Sequence, residues 1–483
     1  MTGGQRILKN VASILGSEAL VKLVSFLVTL YIARRLGTEA LGKLSFALSF
    51  VAIFAVLADL GISRLTTRDL ARDRASLLRF VPGAFALKAL LALGTVVLLA
   101  AGSFLLGKEP ETHVYVLVLL AWLLFDTLNL FFRAVFTALE EMEYAGLLKA
   151  FEKLLFFLLF GAVLLMPLEG RRLLGIVILY PLASLATTLL GVRLLGLKNV
   201  RLGLAPDPET WRFLLARSWP FAGSLILASV YLYADTIMLS YMKGDAVTGL
   251  YNAAYKLFIT LYSLQAMLAE VFFPTFSRLF AEDRQAFRVF GRRVARVLFG
   301  LTVPLATGAI VLAPAGVDLI YGGEYAGAVT SFRILALDLV VRSGLTLAGA
   351  VLLVSDREQR FMGAIGMGAL LNLVLNFLLI PPHGLDGAAV ATVASEALVL
   401  LAMGLWALRI EALPWLQAFL LPLLASAGMA LILRFVPADN LAAAVAAGIA
   451  SYAALLVLIG GLRRQDVDFL RRSVLRRGEG TRS

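Results

Sequence analysis

The residues of this chain best able to do chemistry are charges set inside long apolar runs. Glu18 and Lys22 lie one helical turn apart, Asp126 and Arg133 share a face two turns apart, and Lys149, Glu152 and Lys153 fall in one short stretch. Asp235, Lys256, Glu270, Asp338, Arg342 and Glu396 follow, each flanked by Leu, Val, Ala and Phe. An ionised group among hydrocarbon is costly unless it is paired or wetted, so each one needs a partner or a function. Opposite charges at i,i+4, as in Glu18–Lys22 and Asp338–Arg342, can neutralise one another as packing glue. Lys149, Glu152 and Lys153 stand close enough to a helix end to reach out of the apolar layer. The surplus cations are Lys22, Arg133, Lys149, Lys153, Lys256 and Arg342. Together they suit a water-filled cavity for a phosphate- or pyrophosphate-bearing ligand, which Arg grips bidentately and Lys as a point charge.

A second group is rich in oxygen. Asp235 has no basic residue one turn away, where Tyr231, Leu232 and Leu239 stand. At about 1.5 Å of rise per residue, Asp235, Asn372, Asn376 and Thr392 come to one depth in their helices. A carboxylate, two amide oxygens, a hydroxyl and a backbone carbonyl would suit Na⁺ or a proton-linked carboxyl. The alternative is that Asn372 and Asn376 glue helices together and Asp235 is a protonated buried acid.

Such charges need a scaffold that hides them. Of 483 residues, 60% are apolar and 16% charged, with a mean hydropathy of +0.88. Soluble chains run near half apolar and a quarter charged. Apolar runs of about 20 residues, the length that spans a bilayer, recur along the whole sequence. In hydrocarbon such runs satisfy their backbone only as helices. The expected fold is all-α and polytopic, with about fourteen spans, the first at 11–34 and 39–61 and the last at 414–435 and 441–462. Gly37, Gly107, Gly170, Gly244, Gly322, Pro381-Pro382 and Pro437 mark the expected breaks. The first run is too long for a cleavable signal. With no cysteine, disulfides, thiolate catalysis and cysteine zinc sites are excluded. His113 and His383 are expected in loops, away from any histidine metal site.

The net charge of +12 is laid out by loop. Arginines crowd the stretches after spans 2, 6 and 8 and the tail beyond span 14, whereas no Lys or Arg falls between spans 9 and 10 or between 11 and 12. The positive-inside rule then puts both termini in the cytoplasm, with Arg34, Arg35 and Lys43 as the exception. Topology accounts for the basic tail, so no nucleic-acid partner is expected, and anionic lipid headgroups are the partners of that charge. Leu65–Leu78 and Glu209–Leu215 read as amphipathic helices at the membrane surface. Ala205-Pro206-Asp207-Pro208 is the most linker-like stretch. The expected organisation is a lobe of six helices at 1–196, a cytoplasmic linker at 197–218, a second lobe at 219–409, two further helices at 410–462 and a basic tail at 463–483. A weak repeat supports it. At an offset of 207 residues, Gly16-Ser17, Gly37, Gly42, Ala47 and Leu57 fall on Gly223-Ser224, Gly244, Gly249, Ala254 and Leu264. The offset spans an even number of helices, so the two halves keep one orientation, and a cavity between such bundles is the usual substrate position.

Certain stretches carry a resemblance. Leu30-Tyr31-Ile32-Ala33-Arg34-Arg35-Leu36-Gly37-Thr38-Glu39-Ala40-Leu41-Gly42 leads to Ala58-Asp59-Leu60-Gly61-Ile62. Spans 11 and 12 read Leu371-Asn372-Leu373-Val374-Leu375-Asn376, then Gly384-Leu385-Asp386-Gly387-Ala388-Ala389-Val390-Ala391-Thr392. Over essentially the whole chain this resembles the polysaccharide-export flippases (Wzx type), relatives of lipid II flippases and multidrug extruders. The resemblance implies fourteen helices, two lobes in a V, and alternating access that moves an undecaprenyl-pyrophosphate-linked oligosaccharide from the cytoplasmic to the outer leaflet of a bacterial or archaeal inner membrane. It implies no cofactor beyond a coupling ion, and partners among the glycan polymerase and glycosyltransferases of one pathway. In lipid II flippases a Na⁺ site draws on an acid of helix 7 and on helices 11 and 12. Asp235, Asn372, Asn376, Ala388 (through its carbonyl) and Thr392 match it by position, although an acid is the closer analogue at Asn376. Lys22 beside Glu18 is only part of the basic cluster that lipid II flippases carry on helix 1, and Lys256 matches a basic cavity position. The competing expectations are a lipid II flippase and a drug or cation antiporter, whose cavity would be acidic and aromatic. A membrane glycosyltransferase or polymerase is the enzyme alternative, but no paired acids, phosphate loop or nucleophile triad supports it.

Overall fold

The computed structural model describes residues 3–461 apart from 69–73, 106, 169, 205, 412–414 and 437–439, and omits the side chains of 3–15, 17–19, 74–78, 220, 224 and 416. The expected basic tail, Pro437 and the middle of the Leu65–Leu78 stretch lie outside these residues, as does the Glu18 side chain. The described residues are mostly helical, joined by short connections, with no strand among them. The helices are α1 Gly3–Asp59, α2 Ile62–Arg68, α3 Arg74–Ser103, α4 Pro110–Ala138, α5 Met142–Leu165, α6 Arg172–Leu197, α7 Pro208–Met242, α8 Asp245–Glu282, α9 Arg284–Tyr321, α10 Val329–Val354, α11 Glu358–Ile410, α12 Trp415–Leu433 and α13 Leu441–Leu458, with a short 3-10 turn Gly323–Ala328 before α10.

Two of these are pairs of rods. α1 turns at Gly37, with φ 84°, and α11 at Gly384, with φ 57°. Counting both sides of each turn and leaving out the seven-residue α2, the described residues form fourteen long rods. Among the described residues, ten helices are long and apolar enough to cross a membrane, and two of them, of 40 and 53 residues, hold these turns. Each of those two is at least twice the length of about 20 residues that one crossing needs.

Glycine makes the turns because a positive φ costs it nothing in side-chain clash. Gly37 and Gly244, the two ends of the 207-residue offset, have the same backbone, with φ/ψ of 84°/−178° and 87°/172°. Gly42, Gly249, Ala47 and Ala254 are all buried, so the repeat is physical as well as textual. The expected break at Pro381-Pro382 sits at Gly384 instead, and both prolines lie inside the helix. Proline fixes φ near its helical value, so it cannot make the reversal itself. The histidines also differ from expectation. His113 is in the first turn of α4 and His383 is next to the Gly384 turn, so both are helical.

The Glu209–Leu215 stretch is not a separate surface helix. It forms the opening turns of the 35-residue α7, where the Asp207 carboxylate accepts the Thr210 amide at 3.1 Å as an N-cap. Those hydrogen bonds hold the Asp207 carboxyl below its usual range. Likewise Arg74–Leu78 opens the long α3 rather than ending a surface helix.

By contact the chain divides into two compact units, Met1–Ser240 and Tyr241–Ser483. The first has a core of Leu87, Phe131, Phe132, Val135, Phe136, Leu148 and Leu214. α7 groups with it through its opening turns, although composition marks the linker at 197–218. Trp211 Nε1 donates to the Gly83 carbonyl at 2.9 Å, and Phe213 stacks on Phe80 with centroids 5.0 Å apart. The second unit packs around Phe272, Phe276, Phe287, Leu298, Leu347, Val351 and Met403.

Candidate functional site

Each unit holds a charge cluster that the sequence pointed to. In the first, α4 is fixed to α6 by a polar lock. Asn129 donates to the Ser184 carbonyl and hydroxyl, both at 3.0 Å, and accepts the Thr188 hydroxyl at 3.0 Å. Gly191 lets Phe132 lie directly on the α6 backbone. With that face of α4 used for packing, Asp126 and Arg133 fall on another, where they meet α5. Arg133 stands 4.0 Å from Asp126 and 3.9 Å from Glu152, and Lys153 is 3.9 Å from Glu152. Lys149 also acts electrostatically on Glu152. The cluster is therefore three cations around two carboxylates. These ion-pair distances are too long for hydrogen bonds. The Arg133 guanidinium, 21% exposed, makes no side-chain hydrogen bond to any described residue. Its fork of donors is open to a ligand.

Beneath this cluster lies a pair that sequence reasoning missed. Lys88 of α3 is fully buried and ion-paired with Asp59 at the end of α1. Ser63 joins them, bonded to Asp59 at 2.5 Å and to Lys88 at 3.0 Å. Asp59 also accepts the Gly61 amide at 3.1 Å across the turn into α2. Lys88 was the lone charge of its apolar run, and nothing local pointed to a partner 29 positions away. Lys43, the exception to the positive-inside pattern, is also explained. It is buried among Glu39, Glu109 and Glu111 at 2.8, 2.9 and 2.9 Å, so three carboxylates neutralise it.

In the second unit Arg342 of α10 is held on two sides. Nε donates to Asp338 Oδ2 at 2.7 Å, one turn back on the same helix, and Nη2 is bonded to Glu396 Oε1 of α11. Its faces lie 5.2 Å from the Phe258 centroid and 4.5 Å from that of Tyr262. Gly344 makes this reach possible: a Cβ there would lie 2.8 Å from Leu400 Cδ1. The expected Asp338–Arg342 pair is thus present, but it is a triad, with one cation between two carboxylates.

The remaining expected residues are placed as follows. Lys22 is exposed, Lys256 is half-buried with no ion pair among the described residues, and Asp235 is buried on α7 beside Thr236. Asn372 and Asn376 are buried on α11 and bonded to each other, with Asn376 Nδ2 donating to Asn372 Oδ1 at 3.0 Å. The Thr392 hydroxyl donates to the Ala388 carbonyl at 3.1 Å. Asn372 Oδ1 and the Ala388 carbonyl thus each accept a side-chain hydrogen bond, whereas the buried Asn376 Oδ1 accepts none from any described donor. Among the described residues, no group of three or more His, Asp or Glu is placed to hold a metal.

Comparison with known proteins identifies the scaffold. A family model for polysaccharide biosynthesis proteins matches residues 7–280, more than half of the 483. The chain belongs to that family. It is a multi-pass membrane protein of transporter type, the group that its helix-pair motifs resemble. A Shigella dysenteriae protein named as an O-antigen transporter is 24% identical over 396 residues, covering 79% of this chain and 95% of its own. A Haloferax volcanii protein named as the flippase AglR is 28% identical over 210 residues, 42% of this chain and 44% of its own. Among solved structures, the lipid II flippase MurJ in an inward closed conformation has a TM-score of 0.78 at 14% identity, covering 94% of this chain and 98% of its own. A multidrug resistance MATE family transporter has a TM-score of 0.64 at 16% identity over 80% and 94%. The polysaccharide biosynthesis protein therefore shares its fold with flippases and extruders alike, and the fold alone does not choose between them.

Proposed function

We propose that this polysaccharide biosynthesis protein moves a polyprenyl-pyrophosphate-linked oligosaccharide from the cytoplasmic to the outer leaflet by alternating access, with the pyrophosphate held by Arg133, Lys149 and Lys153. The observation that carries this reading is the open guanidinium of Arg133, which sits at ion-pair distance from two acids yet is hydrogen-bonded to neither. A guanidinium with free donors in a partly desolvated site binds phosphate oxygens bidentately. By the charge pattern of the loops, Lys149 and Lys153 lie in the first turns of α5 on the cytoplasmic side, where a newly made headgroup would arrive. Lys256, with no counter-ion among the described residues, is a second point of attraction. A cation antiporter would need an excess of acid at this place, and the first-unit cluster has an excess of base. The family membership and the relative named as an O-antigen transporter support a glycan-bearing lipid over a drug.

The test is complementation of a strain lacking the gene. Wild type restores surface glycan, and Arg133→Gln, present in the membrane at wild-type level, leaves lipid-linked oligosaccharide on the inner leaflet. Full export by Arg133→Gln would sink the assignment of the headgroup site.

A further inference from the structure

The triad of the second unit has a charge problem that its geometry answers. Asp338 is fully buried and the Glu396 side chain nearly so, and Arg342 is the one cation bonded to both carboxyl groups among the described residues. Asp338 Oδ2 is taken by Arg342. Its other oxygen, Oδ1, is buried and accepts no hydrogen bond from any described donor. Arg342 bonds to both acids, Nε to Asp338 and Nη2 to Glu396, so one guanidinium holds the two carboxyl groups together. Two carboxylates held on one guanidinium repel, and an unbalanced negative charge inside an apolar bundle is costly. One proton resolves both: it removes the repulsion and brings the triad to neutrality.

We propose that Asp338 and Glu396 together hold one exchangeable proton, fixed in place by Arg342, and that this is the proton-binding site of the second unit. The surroundings suit that role. From α8, Tyr255 and Tyr262 are the titratable groups acting on Arg342, with the Phe258 ring beside them. From α11, Glu396 acts on it as well. From α9, which also packs on α10, Thr302 shares a 2.8 Å hydrogen bond with Ser343, and neither titrates. Arg342 keeps 14% of its side chain exposed, so the proton has a route past its edge. A shift of Arg342 away from either acid changes the proton affinity of the pair. Uptake and release can thereby follow a change of conformation, as a coupling site requires. On the reading of the protein as a lipid-linked oligosaccharide flippase, this proton is the coupling ion.

Infrared spectroscopy of the purified full-length protein in lipid nanodiscs reads the proton directly. Wild type at neutral pH should show a protonated-carboxyl stretch that loses one carboxyl's intensity in Asp338→Asn and equally in Glu396→Gln, because either change leaves one acid balanced by Arg342. Arg342→Gln should gain intensity, since both acids then go neutral. Two results would overturn the proposal: no such stretch in wild type, or an undiminished one in both single variants. A second arm tests the coupling. In proteoliposomes with an imposed pH gradient, Asp338→Asn and Glu396→Gln should keep downhill flipping of lipid-linked oligosaccharide and lose gradient-driven accumulation. Intact accumulation in both variants would remove the coupling role. Absence of flipping by wild type would defeat the flippase reading alone, and the infrared result would still decide the proton site.

Discussion

The two buried clusters hold the same kinds of group in opposite proportion. In the first unit, three cations stand around two acids at distances of 3.9–4.0 Å. In the second, one cation is locked between two acids, with a 2.7 Å hydrogen bond to one of them. A guanidinium that has already spent its donors on carboxylates stabilises a bundle or a proton. One that has not is available to an incoming anion. The difference teaches that net charge within a membrane protein is a poor guide to ligand chemistry until the hydrogen bonds are counted. Arg133 and Arg342 both looked like anion-binding residues in the sequence, and their surroundings give them different work.

The comparison can be broken most sharply through stability. Arg342→Gln strips two buried acids of the cation they share, and removal of one partner from such a site costs about 3–5 kcal/mol. Arg133→Gln removes only loose, partly exposed pairs and should cost less than about 1 kcal/mol. Thermal unfolding of the two variants in one detergent checks this, and equal destabilisation would mean that the clusters are not different in kind. In ligand binding the order should reverse. Loss of one charge-assisted Arg–phosphate interaction, worth about 1.5–3 kcal/mol, should weaken headgroup binding by about ten- to a hundred-fold in Arg133→Gln. A third variant probes how the tight cluster is built. Gly344→Val places a side chain against Leu400 and should cost about 1–3 kcal/mol by overpacking. It should also lower the apparent transport rate by separating Arg342 from Glu396, so wild-type activity would show that the spacing does not matter. The smallest effects belong to Lys149→Gln and Lys153→Gln. Each removes a point charge and should reduce initial uptake of the headgroup only a few-fold, more at low ionic strength than at high. A salt-independent loss would contradict their role as long-range attractors.

Much of the scaffold was legible because membranes leave the chain few options. Apolar runs of bilayer length must be helices, and the positions of Gly37 and Gly244 told where two of them turn. The site was legible in part. Asp338 and Arg342 declare each other because i,i+4 neighbours share a face. Asp126 and Arg133 do so two turns apart. Their partners across helices did not show, because Glu396 is 54 positions from Arg342 and Lys88 is 29 from Asp59, and pairing at that range is set by packing rather than by spacing. The resemblance placed Asn372, Asn376 and Thr392 at a cation site by position. It could not show that their groups bond to one another and to a backbone carbonyl. α7 was misread at its inner end for a physical reason: polar residues on the opening turns of a helix longer than the bilayer is thick look like a surface helix in sequence.

The central claim is that the first unit, through Arg133, receives an anionic lipid headgroup. Calorimetric titration of the purified full-length protein with a short-chain polyprenyl pyrophosphate tests it most directly. The account predicts binding by wild type, equal binding by Asp338→Asn, and an affinity lower by about ten- to a hundred-fold in Arg133→Gln. Binding by Arg133→Gln at the wild-type affinity would contradict it.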